Sequence, residues 1–262
     1  MRFTQILLTG LTVYRKISPF RRGEGFFYML LGVCDKLGLA PPLIPAPEGL
    51  NFEYRKEVVL HDLYRFGAFE EMQTAALKKY TPAGGVFVDV GANVGYFAAL
   101  ASRWVGDSGQ VFAFEPIPDT SRNLVSNLAL NDCRNVQVFF DACSDQSGTA
   151  AMKIGKQSGW SHISAGGEGD IQVTTITLDE FLEKRNLERM DVLKIDTEGA
   201  DLKVIFGARR SIERFRPVVL METDHIGDFG HSLEDVESFF SDLGYKTELM
   251  QDDNSCDLLA IP

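Results

Sequence analysis

The sequence predicts an α/β domain built on a mostly parallel sheet of seven strands, closed by a C-terminal antiparallel hairpin and preceded by an N-terminal helical extension. Three observations predict it. Short, almost wholly apolar runs recur at residues 86–90, 110–114 and 191–195, as in strands buried on both faces. Stretches with helical spacing alternate with them, the order expected of parallel strands joined by crossover helices. Several runs end in an acid (Glu115, Asp141, Asp196, Glu222), and strand tips on one side of such a sheet line a common crevice.

The first run, residues 86–90, leads into Gly91-x-Asn93-x-Gly95 and then into the helical pattern of residues 96–101. Strand, glycine turn and helix bring a ligand close to bare backbone at a helix N-terminus. A side chain at Gly91 is expected to intrude on that ligand or strain the turn, with the fold left largely intact. The next strand, residues 110–115, ends in Glu115, whose carboxylate can accept both hydroxyls of a ribose. Together these features point to a nucleoside-containing cofactor. The alternative is a βαβ unit whose glycines only permit tight packing. Tyr96 stands where a dinucleotide fingerprint wants its third glycine. Asp89, inside the strand, can face an ammonium, and S-adenosylmethionine carries one at its amino-acid end.

The segments Asp89-Val90-Gly91-Ala92-Asn93-Val94-Gly95, Phe114-Glu115-Pro116 and Lys194-Ile195-Asp196-Thr197-Glu198-Gly199-Ala200, in that order, resemble the FkbM family of S-adenosylmethionine-dependent methyltransferases. The likeness runs from about residue 62 to the C-terminus. It implies a Rossmann-like class I methyltransferase fold over residues 61–262, with residues 1–60 as a helical, proline-rich extension. It also implies that Glu70, after Gly67, lies over the cofactor; the alternative for Glu70 is a helix N-terminal acid favoured by the dipole. The expected cofactor set is then Glu70, Asp89, Gly91, Asn93, Gly95, Tyr96, Glu115, Pro116, Asp141, Ala142 and Asp196. The family usually carries Glu where Asp201 stands, so no role is carried over to Asp201.

With 262 residues, 45% of them hydrophobic, the chain can bury a sizeable core. A formal charge of −11 argues against a nucleic-acid substrate. Cys34, Cys133, Cys143 and Cys256 stand far apart and form no C-x-x-C pair, which points to the reducing cytosol and to neither zinc nor redox chemistry. Residues 3–14 read as an amphipathic helix, too short for a membrane span. Asp35 and Lys36 interrupt the apolar stretch 26–43. The extension is read as helices packing on the core or on a second subunit. Arg15, Lys16, Arg21 and Arg22 leave contact with a membrane surface as the alternative.

Along the chain, Pro41, Pro42, Pro45 and Pro47 mark a boundary, and residues 54–64 are expected to hold a short strand or hairpin. Helices are expected at 71–80, 118–130, 178–185, 200–207 and 233–243, and further strands at 136–141, 149–154, 171–177, 217–222, 245–250 and 258–261. The Gly- and Ser-rich loop 155–169 carries Trp160, Ser161 and His162. Lys194 and Asp196 share a strand face, and a lysine in an apolar strand demands a partner.

No Asp/Asn-Pro-Pro-aromatic run follows the fourth strand, where the sequence reads Asp196-Thr197-Glu198-Gly199, and this favours O-methylation over amine methylation. The candidate bases are Asp196, Glu198 and His162, in that order, acting on an acceptor hydroxyl of a sugar, a polyketide or another small molecule or glycan. A metal-assisted variant, less favoured, would gather Asp196, Glu222 and Asp224 around Mg²⁺. The rival readings are an NAD-dependent oxidoreductase and a non-catalytic cofactor-binding scaffold.

Overall fold

The computed structural model of the chain describes residues 42–55, 59–60, 62–63, 67–155, 161–164, 167–251 and 256–262. The expected amphipathic helix at 3–14, the apolar stretch 26–43 except for its last two residues, the basic residues between them, Cys34 and Trp160 lie outside these. Among the described residues no helix is long and apolar enough to cross a membrane. The chain divides into two compact units between Phe69 and Glu70.

In the first unit β1 (Leu43–Pro45) pairs antiparallel with β2 (Asn51–Glu53). The hairpin therefore lies in the proline-rich stretch, upstream of the expected 54–64, and residues 59–60 and 62–63 are helical. The reversal is made by a 3₁₀ turn, Pro47–Gly49. Pro47 fixes its start, and Glu48 and Gly49 take left-handed φ of 58° and 72°. Ile44, Leu50 and Phe52 are buried.

The second unit carries the seven-stranded sheet. Its strands are β3 (Val86–Val90), β4 (Gln110–Phe114), β5 (Val136–Phe139), β10 (Val192–Ile195), β11 (Val218–Glu222), β12 (Lys246–Gln251) and β13 (Cys256–Ile261), in the order β12-β13-β11-β10-β3-β4-β5. β11, β10, β3, β4 and β5 run parallel, and β13 and β12 close the edge antiparallel, as the sequence predicts. From β3 the chain moves outward through β4 to β5, then returns to place β10 on the other side of β3. That reversal opens a crevice at the carboxyl ends of β3, β4 and β10. Phe112, Phe114, Phe139 and Phe181 pack edge-on or tilted with centroids 4.8–6.3 Å apart, filling the core beneath β4 and β5.

The return passes through a second sheet of β6 (Ala142–Cys143), β7 (Gly148–Lys153), β8 (His162–Ile163) and β9 (Ile171–Ile176), ordered β6-β9-β7-β8. β7 and β9 are the two strands expected around the loop, but β8 inside that loop, paired to β7, was not anticipated. Two residues of strand carry no period that a sequence could display.

Among the described residues the helices of the second unit are α1 (Glu71–Tyr80), α2 (Tyr96–Val105), α3 (Pro118–Leu130), α4 (Leu178–Lys184), α5 (Asp201–Gly207), α6 (Arg209–Phe215) and α7 (Leu233–Asp242). Their starts have local causes: Pro118 opens α3, Thr177 caps α4 by accepting from Glu180 N–H, and Ser232 and Asp235 form a capping box on α7. α6 was missed because its cap is tertiary. Asp179 of α4 accepts the backbone N–H of Arg210 at 3.1 Å and of Ser211 at 2.8 Å.

Gly91 marks where β3 and β10 diverge. Its φ is +78°, and a Cβ there would stand 1.7 Å from the backbone oxygen of Asp196. The obstacle is therefore the neighbouring chain, not only a ligand, and the expectation that a Gly91 variant keeps its fold is corrected. Gly91→Val is expected to lose at least about 4 kcal/mol, since β10 and the turn cannot both keep their places. Urea denaturation measures this, and a near-native midpoint would show that the strands can part at no cost.

Candidate active site

The crevice, about 610 Å³ including its open mouth, is lined by residues of the β3, β4 and β10 tips and by the second sheet. At its glycine turn, Gly91 N–H and Ala92 N–H both donate to Phe114 O, at 3.0 and 2.9 Å. Asn93 sits in left-handed backbone at φ 50°, and its N–H donates to Glu115 Oε2 at 3.0 Å. Ile117 N–H donates to Glu115 Oε1 at 2.9 Å. Each carboxylate oxygen is thus fixed by one backbone donor and retains acceptor capacity. Burial pushes the Glu115 carboxyl up to about 7, and the N–H groups of Ile117 and Asn93 oppose that rise.

Of the residues expected to hold a cofactor, Gly91, Asn93, Glu115, Pro116, Asp141, Ala142 and Asp196 line the crevice. Asp141 lies just past the end of β5, which stops at Phe139 instead of continuing to 141. The other four expected residues are not among those that line the crevice. Gly95 caps α2 at φ +92°, where a Cβ would meet Leu124 Cδ1 at 2.6 Å, so its smallness serves helix packing. Tyr96 is buried against Phe97, with its hydroxyl 3.5 Å from Thr74 Oγ1. Glu70 precedes α1 in left-handed backbone and is one of the acids that raise the Lys194 pKa. Asp89 lies inside the sheet, 0% exposed.

Asp89 and Lys194 are paired in the register of β3 and β10, so their side chains lie abreast. Lys194, 5% exposed, sets its Nζ 2.9 Å from Asp196 Oδ2 and 3.8 Å from Asp89 Oδ1, over the Phe97 ring at 5.1 Å. Burial alone would lower the Lys194 pKa, but Asp196, Asp89 and Glu70 outweigh it and raise it. Among the described residues neither Asp89 oxygen has a hydrogen-bond partner. Burial raises its carboxyl to about 6 in spite of the lysine.

Beyond Asp196 the chain turns through Thr197, Glu198 and Gly199. Asp201 holds that turn: its two oxygens accept Thr197 N–H and Gly199 N–H, each at 2.9 Å. Glu198 is left in αL backbone (φ 56°) with its side chain at the crevice. Burial, followed by Asp196 and Asp201, pushes Glu198 up to about 8. Glu222 ends β11, and burial, followed by Asp196 and Asp201, pushes it up to about 11.

The base candidates separate. Asp196 and Glu198 face the crevice. His162 does not: Ser161 and Ile163 line the crevice, and strand alternation turns the residue between them to the other side. The acids expected around Mg²⁺ also separate. Asp196 is bound to Lys194, and Asp224 accepts Cys256 N–H at 3.0 Å. Among the described residues the donors that gather are instead Glu198, Glu222 and His225. The apolar lining, Phe114, Ile117, Met152 and Ile163, was missed as a site because in sequence these residues look like any other core positions.

The fold is a doubly wound α/β sheet with its crevice at the strand-order reversal, the place where such sheets bind ligands. The family profile of the methyltransferase FkbM domain matches residues 89–247, and the chain belongs to that family. It is 28% identical over 135 residues to the hexuronic acid methyltransferase AglP of Haloferax volcanii, covering 52% of this chain and 54% of that protein. It is 26% identical over 149 residues to the 2-O-methyltransferase NoeI of Sinorhizobium fredii, covering 50% and 60%. The chain thus spans between half and two thirds of the length of these curated relatives. Among solved structures, a precorrin-6y C5,15-methyltransferase from Geobacter metallireducens shares the fold, with a TM-score of 0.50 at 14% identity over 85% of this chain and 98% of that one.

Glu115 and Asp89 titrate higher in the folded chain than free carboxyls do. Between the unfolded and folded values the folded chain binds more protons, so their contribution to stability falls as pH rises. The window runs from about 4, the unfolded value, to about 7, the Glu115 value. Melting temperature should therefore decline across this window, and Glu115→Gln should flatten the decline near its upper end. A wild-type Tm that climbs steadily over the same range would contradict the burial described here.

Proposed function

We propose that the chain transfers a methyl group from S-adenosylmethionine to a hydroxyl oxygen of a sugar, polyketide or other small-molecule or glycan acceptor. The observation that carries this reading is Glu115, set at the tip of β4 beside the glycine turn, with each oxygen anchored by a backbone N–H and aimed at the crevice. Family membership supports it and leaves the nicotinamide reading without support. The crevice fits the proposed cofactor. Glu115 would hold the ribose hydroxyls, Ile117, Met152 and Ile163 would pack the adenine, and Asp141 would accept its amino group. When bound, S-adenosylmethionine supplies the electrophilic methyl carbon.

The chain's own work is then alignment and removal of one proton. Asp196 lines the crevice with one oxygen fixed on Lys194, and it would orient the acceptor hydroxyl and receive its proton. Oxygen as the acceptor atom agrees with the Sinorhizobium relative being a 2-O-methyltransferase and with the Asp196-Thr197-Glu198-Gly199 turn. The charge of −11 speaks against a nucleic-acid acceptor. The free Cys133, Cys143 and Cys256 fit a reducing compartment, which we read as the cytosol.

Calorimetry with S-adenosylhomocysteine tests the cofactor. Wild type should bind it and not NAD, and Glu115→Ala should weaken binding by about 1–3 kcal/mol. Unchanged affinity in the variant would overturn the ribose role. Incubation with labelled S-adenosylmethionine and a metabolite extract from the host identifies the acceptor. With that acceptor, Asp196→Asn should lower kcat by roughly 10²–10⁴ at little-changed cofactor affinity. If instead Asp196→Asn loses stability that Lys194→Met restores, and the double variant turns over normally, Asp196 serves only to neutralise the lysine.

A further inference from the structure

Glu198, Glu222 and His225 each offer one ligand atom, and these atoms lie within 4.8 Å of one another. Two ligands each about 2.1 Å from an ion stand at most roughly 4.2 Å apart. His225 Nε2 is already 3.6 Å from Glu198 Oε2, within that limit, and its ring is half-exposed. The three are held from different directions. Glu198 sits on the turn clamped by Asp201, Glu222 ends β11, and His225 opens the 3₁₀ turn Ile226–Phe229. The Glu198 turn also presses on the His225 backbone: a Cβ on Gly199 would stand 2.8 Å from His225 O.

Glu222 supplies the independent sign of an intended cation. Its Oε2 is shielded from solvent and has no hydrogen-bond partner among the described residues. Across the β11–β13 pair it faces the buried acid Asp257, whose carboxylate accepts from Gln73 Nε2 at 2.7 Å. A carboxyl in such a site keeps a proton unless a cation takes the proton's place. Lys194 is committed to Asp196 and Asp89.

We propose that Glu198, Glu222 and His225 bind one divalent transition-metal ion at the edge of the crevice. Two carboxylate oxygens with one imidazole nitrogen suit Mn²⁺, Fe²⁺ or Zn²⁺ better than Mg²⁺ or Ca²⁺, which favour all-oxygen shells. Three protein ligands leave coordination positions open. Because Glu198 lines the crevice, an acceptor hydroxyl could take one of them. This use rests on the methyl-transfer reading. The ion would polarise the O–H bond as a Lewis acid without changing oxidation state; the proton passes to Asp196, and the new C–O bond forms as the S–C bond breaks. Glu198 would then be a ligand and not a base.

The full-length chain, stripped with EDTA, is titrated with Mn²⁺ and followed by electron paramagnetic resonance and by Tm. One saturable Mn²⁺ per chain is expected, with a higher Tm on binding. Glu222→Gln and His225→Ala should each weaken binding by about tenfold or more, and the double variant should lose the Tm response. Absence of saturable binding below about 1 mM in wild type would overturn the proposal. So would wild-type Mn²⁺ affinity in the double variant, which would put the ion elsewhere. S-adenosylhomocysteine binding, measured on the same metal-free samples, separates the two readings. If the nucleoside binds and Mn²⁺ does not, the metal site alone falls. If Mn²⁺ binds and the nucleoside does not, the methyl-donor reading falls.

Discussion

One ammonium group holds the centre of this protein together. Lys194 lies inside a parallel strand, almost wholly buried, with Asp89 abreast of it on β3 and Asp196 two residues ahead of it, just past the end of β10. Neither Lys194 nor Asp89 would be tolerable alone in that environment. Together they fix the spacing of β3 and β10 at the point where the two strands part. The crevice begins one residue beyond, where Gly91 passes against the Asp196 carbonyl with no room for a side chain. The ion pair and the bare glycine serve one purpose: they let two strand tips run side by side and then diverge around a ligand.

Around this pair the chain accumulates acids that a stable fold would otherwise avoid. Asp201 and Glu115 earn backbone donors and so act as clamps, one for the turn after β10 and one for the turn after β3. Glu198 and Glu222 receive no comparable donor, and burial pushes both carboxyls upward. The carboxylates thus fall into two groups. Those satisfied by backbone shape the crevice, and the other two stand together with His225. Asp201 also shows that a shorter side chain than the family's usual Glu can hold this turn with both oxygens.

Much of the fold was legible in the sequence because its signals are local. Seven strands, the closing hairpin and most of the helices follow from apolar runs, glycine turns and caps within a few residues of each other. The pieces that escaped prediction all depend on distant partners. α6 is capped by Asp179 from another helix, and β8 exists because β7 offers it an edge. The first-unit hairpin reverses on Glu48 and Gly49 in left-handed backbone, upstream of the stretch whose residue types suggested it.

The site divides along the same line. The sequence by itself determined the chemical identities: a glycine turn after β3, an acid at the tip of β4, and the Lys194–Asp196 spacing that obliges both to share a face. Period-2 alternation and strand-end position are properties of adjacent residues, so the sequence carries them in full. Only the tertiary structure decided which of these groups meet. It turned His162 away, put Asp89 behind the lining on Lys194, set Gly91 against Asp196 instead of only against a ligand, and gathered Glu198, Glu222 and His225 from two strand ends. Such meetings are fixed by sheet order and by loops crossing in space, and no spacing along the chain encodes the distance between two strand tips.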